Sequence, residues 1–99
     1  MEVFEWDDEK RLATIAKHRV DFLDAIEIFG GKVLILSGRS EIESRQRAVA
    51  PLNGKMICVV FTMRDEITRI ITARVARQNE REQYQALYAG RNPGDEGSD

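Results

Sequence analysis

One cysteine, one histidine and two prolines are all that this 99-residue chain holds of those types, and each scarcity closes off a class of function. Cys58 has no partner for an internal disulfide. It sits within an apolar run, which predicts a buried thiol rather than a reactive one. His18 and Cys58 lie far apart in sequence, so no zinc-type cluster can be assembled from the usual ligands. An oxygen-only magnesium site at Asp65 and Glu66 is the less economical reading of two acids in a turn. No glycine-rich phosphate loop is present, because Gly30-Gly31 follows a helical pattern rather than a strand. The longest apolar runs, Val33 to Leu36 and Ile57 to Phe61, are strand-sized and far too short to cross a bilayer. The opening residues, Met1-Glu2-Val3-Phe4-Glu5, lack the basic start and apolar stretch of a secretion signal. The expectation is a reduced, cytoplasmic protein with no metal, no cofactor and no membrane contact.

What the chain has in quantity is charge, distributed unevenly. The formal net charge of -2 conceals a sum of -4 over residues 1–29, +5 over 30–92 and -3 over 93–99. Most of the arginines fall in the basic middle, among them Arg45, Arg47, Arg64, Arg69, Arg74, Arg77 and Arg81. Arginine offers a planar fork of donors that matches phosphate oxygens in pairs, which lysine does not. A solvated basic face balanced by acids elsewhere explains the same composition, so charge alone does not choose.

Length allows one core, and the expected organisation is a single domain over 1–90 with a disordered acidic tail over 91–99. Val3 to Trp6 reads as a short strand. Asp7 then suits the N-cap of a helix from Asp8 to Arg19, with Leu12, Ile15 and Ala16 on its apolar face. A second helix is expected from Asp21, striped by Phe22, Ala25, Ile26 and Phe29 and stopped by Gly30-Gly31. The period then changes to that of strands: Lys32 to Leu36, Ser44 to Leu52, Lys55 to Met63 and Ile67 to Arg74. Asn53-Gly54 and Arg64-Asp65-Glu66 supply hairpin turns. A final helix should run from about Val75 to Tyr88 and stop at Gly90. The fold class is α+β, an antiparallel sheet with two N-terminal helices and one C-terminal helix, packed on one face.

Within this frame the second hairpin is the informative segment. Arg69 interrupts a strand of apolar and β-branched residues, where desolvating it demands compensation. Strict alternation would place Arg69 with Ile67, Ile71 and Ala73, and Arg74 with Thr68, Ile70 and Thr72. Two readings stand: an internal salt bridge, for example to Glu80, or a sheet surface that grips a phosphodiester. His18 is the side chain suited to proton transfer near neutral pH, although a helix-end histidine also serves as a structural charge. Tyr84 and Tyr88 should pack one helix face with hydroxyls at the surface, and Trp6 should anchor the first helix.

These residues resemble the BrnT family of type II toxins from about Phe4 to Tyr84. The resemblance rests on Phe4-Glu5-Trp6-Asp7, Lys10, Lys17-His18, Phe22 with Ala25 and Phe29, Glu43 and Arg45, and Val59-Val60-Phe61-Thr62 with Arg64. Its densest block is Arg69-Ile70-Ile71-Thr72-Ala73-Arg74, continued by Ala76, Glu80-Arg81 and Tyr84. It implies a RelE-like fold and metal-independent ribonuclease activity. It also implies neutralisation by a BrnA-type ribbon-helix-helix antitoxin, which contacts operator DNA as part of the complex. On that basis Arg64, Arg69 and Arg74 would contact the scissile phosphate, with His18 or Tyr84 transferring protons. Arg45, Arg47, Lys55, Arg77 and Arg81 would hold the remaining RNA backbone. The competing expectation is an inert binding module that acts with an antitoxin as co-repressor.

Overall fold

A computed structural model describes residues 3–38 and 44–88. Its elements run β1 (Val3–Glu5), α1 (Asp8–His18), α2 (Phe22–Ala25), a 3-10 helix (Ile26–Gly30), β2 (Leu34–Ser37), β3 (Arg45–Leu52), β4 (Lys55–Arg64), β5 (Ile67–Val75) and α3 (Gln78–Leu87). The five strands form one sheet in the order β1-β5-β4-β3-β2, antiparallel except for the β1–β5 pair.

Local chemistry explains the element ends. The Asp7 carboxylate accepts from the backbone N–H groups of Glu9 (2.8 Å) and Lys10 (3.2 Å), so α1 starts where the sequence places it. It stops at Arg19, which adopts the left-handed conformation with φ 60°. Asp21 caps α2 through the N–H of Leu23 and receives Arg11 Nε at 2.7 Å and Nη2 at 2.9 Å. One carboxylate thereby joins the first two helices. The β3–β4 turn places Asn53 at φ 52° and Gly54 at φ 86°, the pair of positive values that a tight hairpin of native twist requires. Asp65 and Glu66 adopt φ 49° and 72° in the next hairpin without a glycine, which costs on the order of 1 kcal/mol per residue.

The larger core lies between the sheet and the segment α2 to the 3-10 helix. Phe22, Ala25 and Ile28 pack on Ala48, Ala50, Ile57, Val59, Phe61, Ile70 and Ala73. Phe29 bridges Phe4 (5.4 Å between ring centroids) and Phe61 (5.2 Å), and Trp6 meets the buried Phe22 edge-on at 5.9 Å. Burying one such ring contributes roughly 1.5–3 kcal/mol.

Five expectations need correction. Leu12 and Ala16 of α1 face solvent, and Thr14 is the buried residue that marks its inward side. The second helix is a single α-turn, Phe22–Ala25, continued as 3-10 helix over Ile26–Gly30. β5 extends to Val75 and α3 begins only at Gln78. The helices do not share one face. Phe22 and Ile28 cover the side of Val59, whereas α3 covers the opposite side, where Glu80 meets Cys58. Lastly, β5 does not alternate strictly. Val60 pairs with Thr72 while Phe61 pairs with Ile70, so Ile71 is an extra residue, a β-bulge. Arg69 is therefore carried to the same face as Thr72 and Arg74. The expected tail over 91–99 and the helix stop at Gly90 lie outside the described residues. Among the described residues no helix is long and apolar enough to cross a membrane.

Candidate functional site

The bulge has a direct consequence for charge. Register pairs carry Glu5, Arg69, Thr62 and Arg45 across the sheet in one row, and Thr72, Val60 and Arg47 in the next; Arg74, Cys58 and Val49 make the third. Arg64 belongs to the same face through Thr62, two residues earlier on β4. Five arginines thus emerge on the side of the sheet that α3 only partly covers.

The centre of that face is a buried carboxylate. Glu80 is fully excluded from solvent, and its two oxygens accept from five donors. Arg74 Nη1 and Nη2 approach at 2.8 and 2.9 Å, Arg47 Nη1 at 2.7 Å, the backbone N–H of Arg77 at 2.8 Å and Cys58 Sγ at 3.6 Å. The same glutamate is the third residue of α3, where a side chain naturally reaches back to the helix N-terminus. Burial opposes its charge, but hydrogen bonds from Arg74, the Arg77 N–H and Arg47 outweigh that cost and hold the carboxyl at about 2, below its ordinary 4.5. Glu80 is consequently a fixed anion and no proton acceptor near neutral pH. Burial pushes the Cys58 thiol up to about 11, in keeping with an inert core cysteine.

Acid should reveal this arrangement. A carboxyl depressed in the folded state stabilises the protein fully above pH 4.5, and the contribution is lost as pH falls from there towards 2. The shift corresponds to about 3 kcal/mol. Urea unfolding across this range should show a steep decline that Glu80→Gln removes; parallel profiles for the two proteins would contradict it.

Beside Glu80 a cleft of about 230 Å³ is lined by Arg45, Arg47, Arg74 and Arg77 with Val60, Thr72 and Gly38. Gly38 is required there, since a Cβ would stand 2.7 Å from the Arg45 carbonyl oxygen. Arg47 is pinned further by Nε donating to the Ser37 carbonyl at 2.8 Å. Arg77 has no side-chain hydrogen bond or ion pair among the described residues and is exposed. Arg47 and Arg74 share the single carboxylate of Glu80, and the Arg77 guanidinium stands beside them on the cleft wall, a donor set of the type that takes an anion's oxygens in pairs.

The other candidates are dispersed. Of Arg64, Arg69 and Arg74, only Arg74 lines this cleft: Arg69 Nη1 donates to Glu5 at 3.1 Å, and Arg64 is exposed at the hairpin end. The salt bridge expected between Arg69 and Glu80 belongs instead to Arg74 and Arg47, because Arg69 lies at the other end of β5, opposite Glu5 of β1. His18 ends α1 and lines a separate cavity with Lys10, Lys17 and Thr72. The Tyr84 hydroxyl donates to the Lys32 carbonyl at 3.1 Å, and Tyr88 does the same to Val33 at 2.8 Å, fastening α3 to the approach of β2. Arg81 Nη1 donates to the Ala76 carbonyl at 2.8 Å. Lys55 lines a third cavity with Asp21 and Asp24, apart from the arginines. Sequence reading placed Glu80 only as a salt-bridge partner and missed Thr72; the helix-capping position of Glu80 behind Arg74 is the signal that could have found it.

The fold and cleft define a small α+β protein with an arginine-lined cleft on an open sheet face. Residues 6–80 match the family model described as ribonuclease toxin, BrnT, of type II toxin-antitoxin system. The chain belongs to this family. Among solved structures it is similar to the Brucella abortus ribonuclease toxin, BrnT, at 30% identity and a TM-score of 0.65, covering 79% of this chain and 100% of that one. A search of curated proteins found no match. Membership makes an RNA target and an antitoxin partner part of the description.

Proposed function

We propose that this toxin cleaves RNA without a metal ion, using the RNA's own 2′-hydroxyl as nucleophile, with the arginine cleft holding the scissile phosphate. The 2′-oxygen attacks the adjacent phosphorus and the bond to the 5′-oxygen breaks, leaving a 2′,3′-cyclic phosphate and a 5′-hydroxyl. One proton leaves the 2′-hydroxyl and one reaches the departing 5′-oxygen. The remaining task is to stabilise negative charge on the phosphoryl oxygens, where a preorganised donor is worth about 3–4 kcal/mol. The observation that carries this reading is Arg74 and Arg47 held rigidly by buried Glu80 at the edge of an open cationic cleft.

In this scheme Arg74 is central, Arg47, Arg45 and Arg77 complete the anion site, and Arg64 and Arg69 extend the cationic face. Arg81 and Lys55 remain peripheral RNA contacts. His18 is the better placed proton-transfer candidate, since Thr72 lines both its cavity and the arginine cleft; Tyr84 has its hydroxyl committed to a backbone carbonyl. The partner proposed is a BrnA-type ribbon-helix-helix antitoxin in the same cytoplasm, joining operator DNA through the complex.

Purified protein incubated with a defined RNA and excess chelator should yield fragments ending in 2′,3′-cyclic phosphate, identified by mass spectrometry. Cleavage abolished by chelator would overturn the metal-free mechanism. Intact RNA together with tight antitoxin binding would favour an inert co-repressor.

A further inference from the structure

The cavity beneath α1 has no place in the chemistry above apart from His18. β1 pairs with β5 only over Ile67–Arg69, and α1 lies against β5. Lys10, Thr14 and Lys17 follow at helical spacing and so share one side of α1. Buried Thr14 shows that this side is turned inward. Together with His18, the bulged Ile71 and Thr72 they line an open depression of about 360 Å³. Lys10 and Lys17 are exposed, with no ion pair or hydrogen bond from their ammonium groups among the described residues. No acidic side chain lines the cavity. Thr72 is the wall it has in common with the arginine cleft.

Two cationic cavities meeting at one threonine suit a chain of repeating negative charges better than a single anion. Resting on the ribonuclease reading, we propose that the Lys10–Lys17 cavity is a second phosphate subsite, which takes the phosphodiester next to the one in the arginine cleft. RNA would then cross the sheet edge at the bulge, with Thr72 and His18 between the two phosphates. Lysine suits this position because a flanking phosphate needs neutralisation rather than the paired oxygen recognition supplied by arginine.

The test is the salt dependence of binding to a short 2′-O-methyl RNA oligonucleotide, which cannot be cleaved. Losing the one phosphate that this subsite neutralises should reduce the slope of log K against log salt by about 0.7 for a single strand. Between about 50 and 200 mM salt the wild-type protein should therefore lose about 2.6-fold more affinity than the Lys10→Ala/Lys17→Ala variant. Alanine keeps α1 intact, which an unchanged Tm verifies. Lys32→Ala, at a lysine over the Tyr88 ring and outside both cavities, should leave the slope as it is. Equal slopes for the wild-type and double-variant proteins, in a wild type that does cleave RNA, overturn the subsite and spare the cleavage reading. Equal slopes with weakened binding of an acidic peptide reassign the cavity to a protein partner. A wild type that neither binds the oligonucleotide nor cleaves RNA removes both.

Discussion

Replacing Glu80 with glutamine should remove a large fraction of this protein's stability margin and disorder its arginine cleft at the same time. The substitution keeps the shape but removes the charge that five donors share. Breaking a buried ion pair by removing one partner costs about 3–5 kcal/mol, because the other charge is left uncompensated. Arg74 and Arg47 keep side-chain exposures of 17% and 20%, so both can turn towards water, and the lower end of that range is expected. For a domain of this size the loss should lower Tm by at least about 10 °C. Thermal unfolding measures it, and a Tm within about 2 °C of wild type would refute the central role assigned to this carboxylate. Activity retained in the folded fraction would further show that Glu80 does not orient the arginines.

Replacing Arg74 with lysine should separate charge from geometry. Lysine can keep one contact to Glu80, so the fold is retained, but it cannot present two donors to a carboxylate and further donors to a phosphate. If Arg74 stabilises the charge that develops at phosphorus, turnover should fall about 100- to 1000-fold, the usual consequence of losing one preorganised donor. KM should change much less than kcat. Because Arg74 also supports Glu80, Arg77→Ala provides the independent check: its exposed guanidinium holds nothing together among the described residues, so Tm should stay constant while RNA affinity drops. Wild-type rates in both variants would move the reaction away from this cleft.

Much of the fold was legible before any coordinates. Asp7 and Asp21 are caps by chemistry alone, Asn53-Gly54 is a hairpin turn by its φ requirements, and the strand-length apolar runs announce a sheet. Family resemblance could be read from the same residues, and the match over 6–80 agrees with it. The site was less legible. Arg74, Arg47, Arg45 and Arg77 all stood out as basic residues, but nothing local showed which of them meet. Alternation gave Arg69 and Arg74 opposite faces, and one bulged residue, Ile71, reversed that.

The boundary between the two kinds of information has a physical origin. Caps, turns and strand periods depend on a few neighbouring residues, so the amino-acid order alone determined the elements, their succession and the excess of arginine in the middle of this chain. Which arginines converge depends on strand register and on α3 packing across the face opposite α2 and the 3-10 helix. Those are long-range choices, settled when buried Glu80 gathers Arg74 and Arg47 from separate strands. Only the tertiary structure could bring a scattered set of cations into a single cleft.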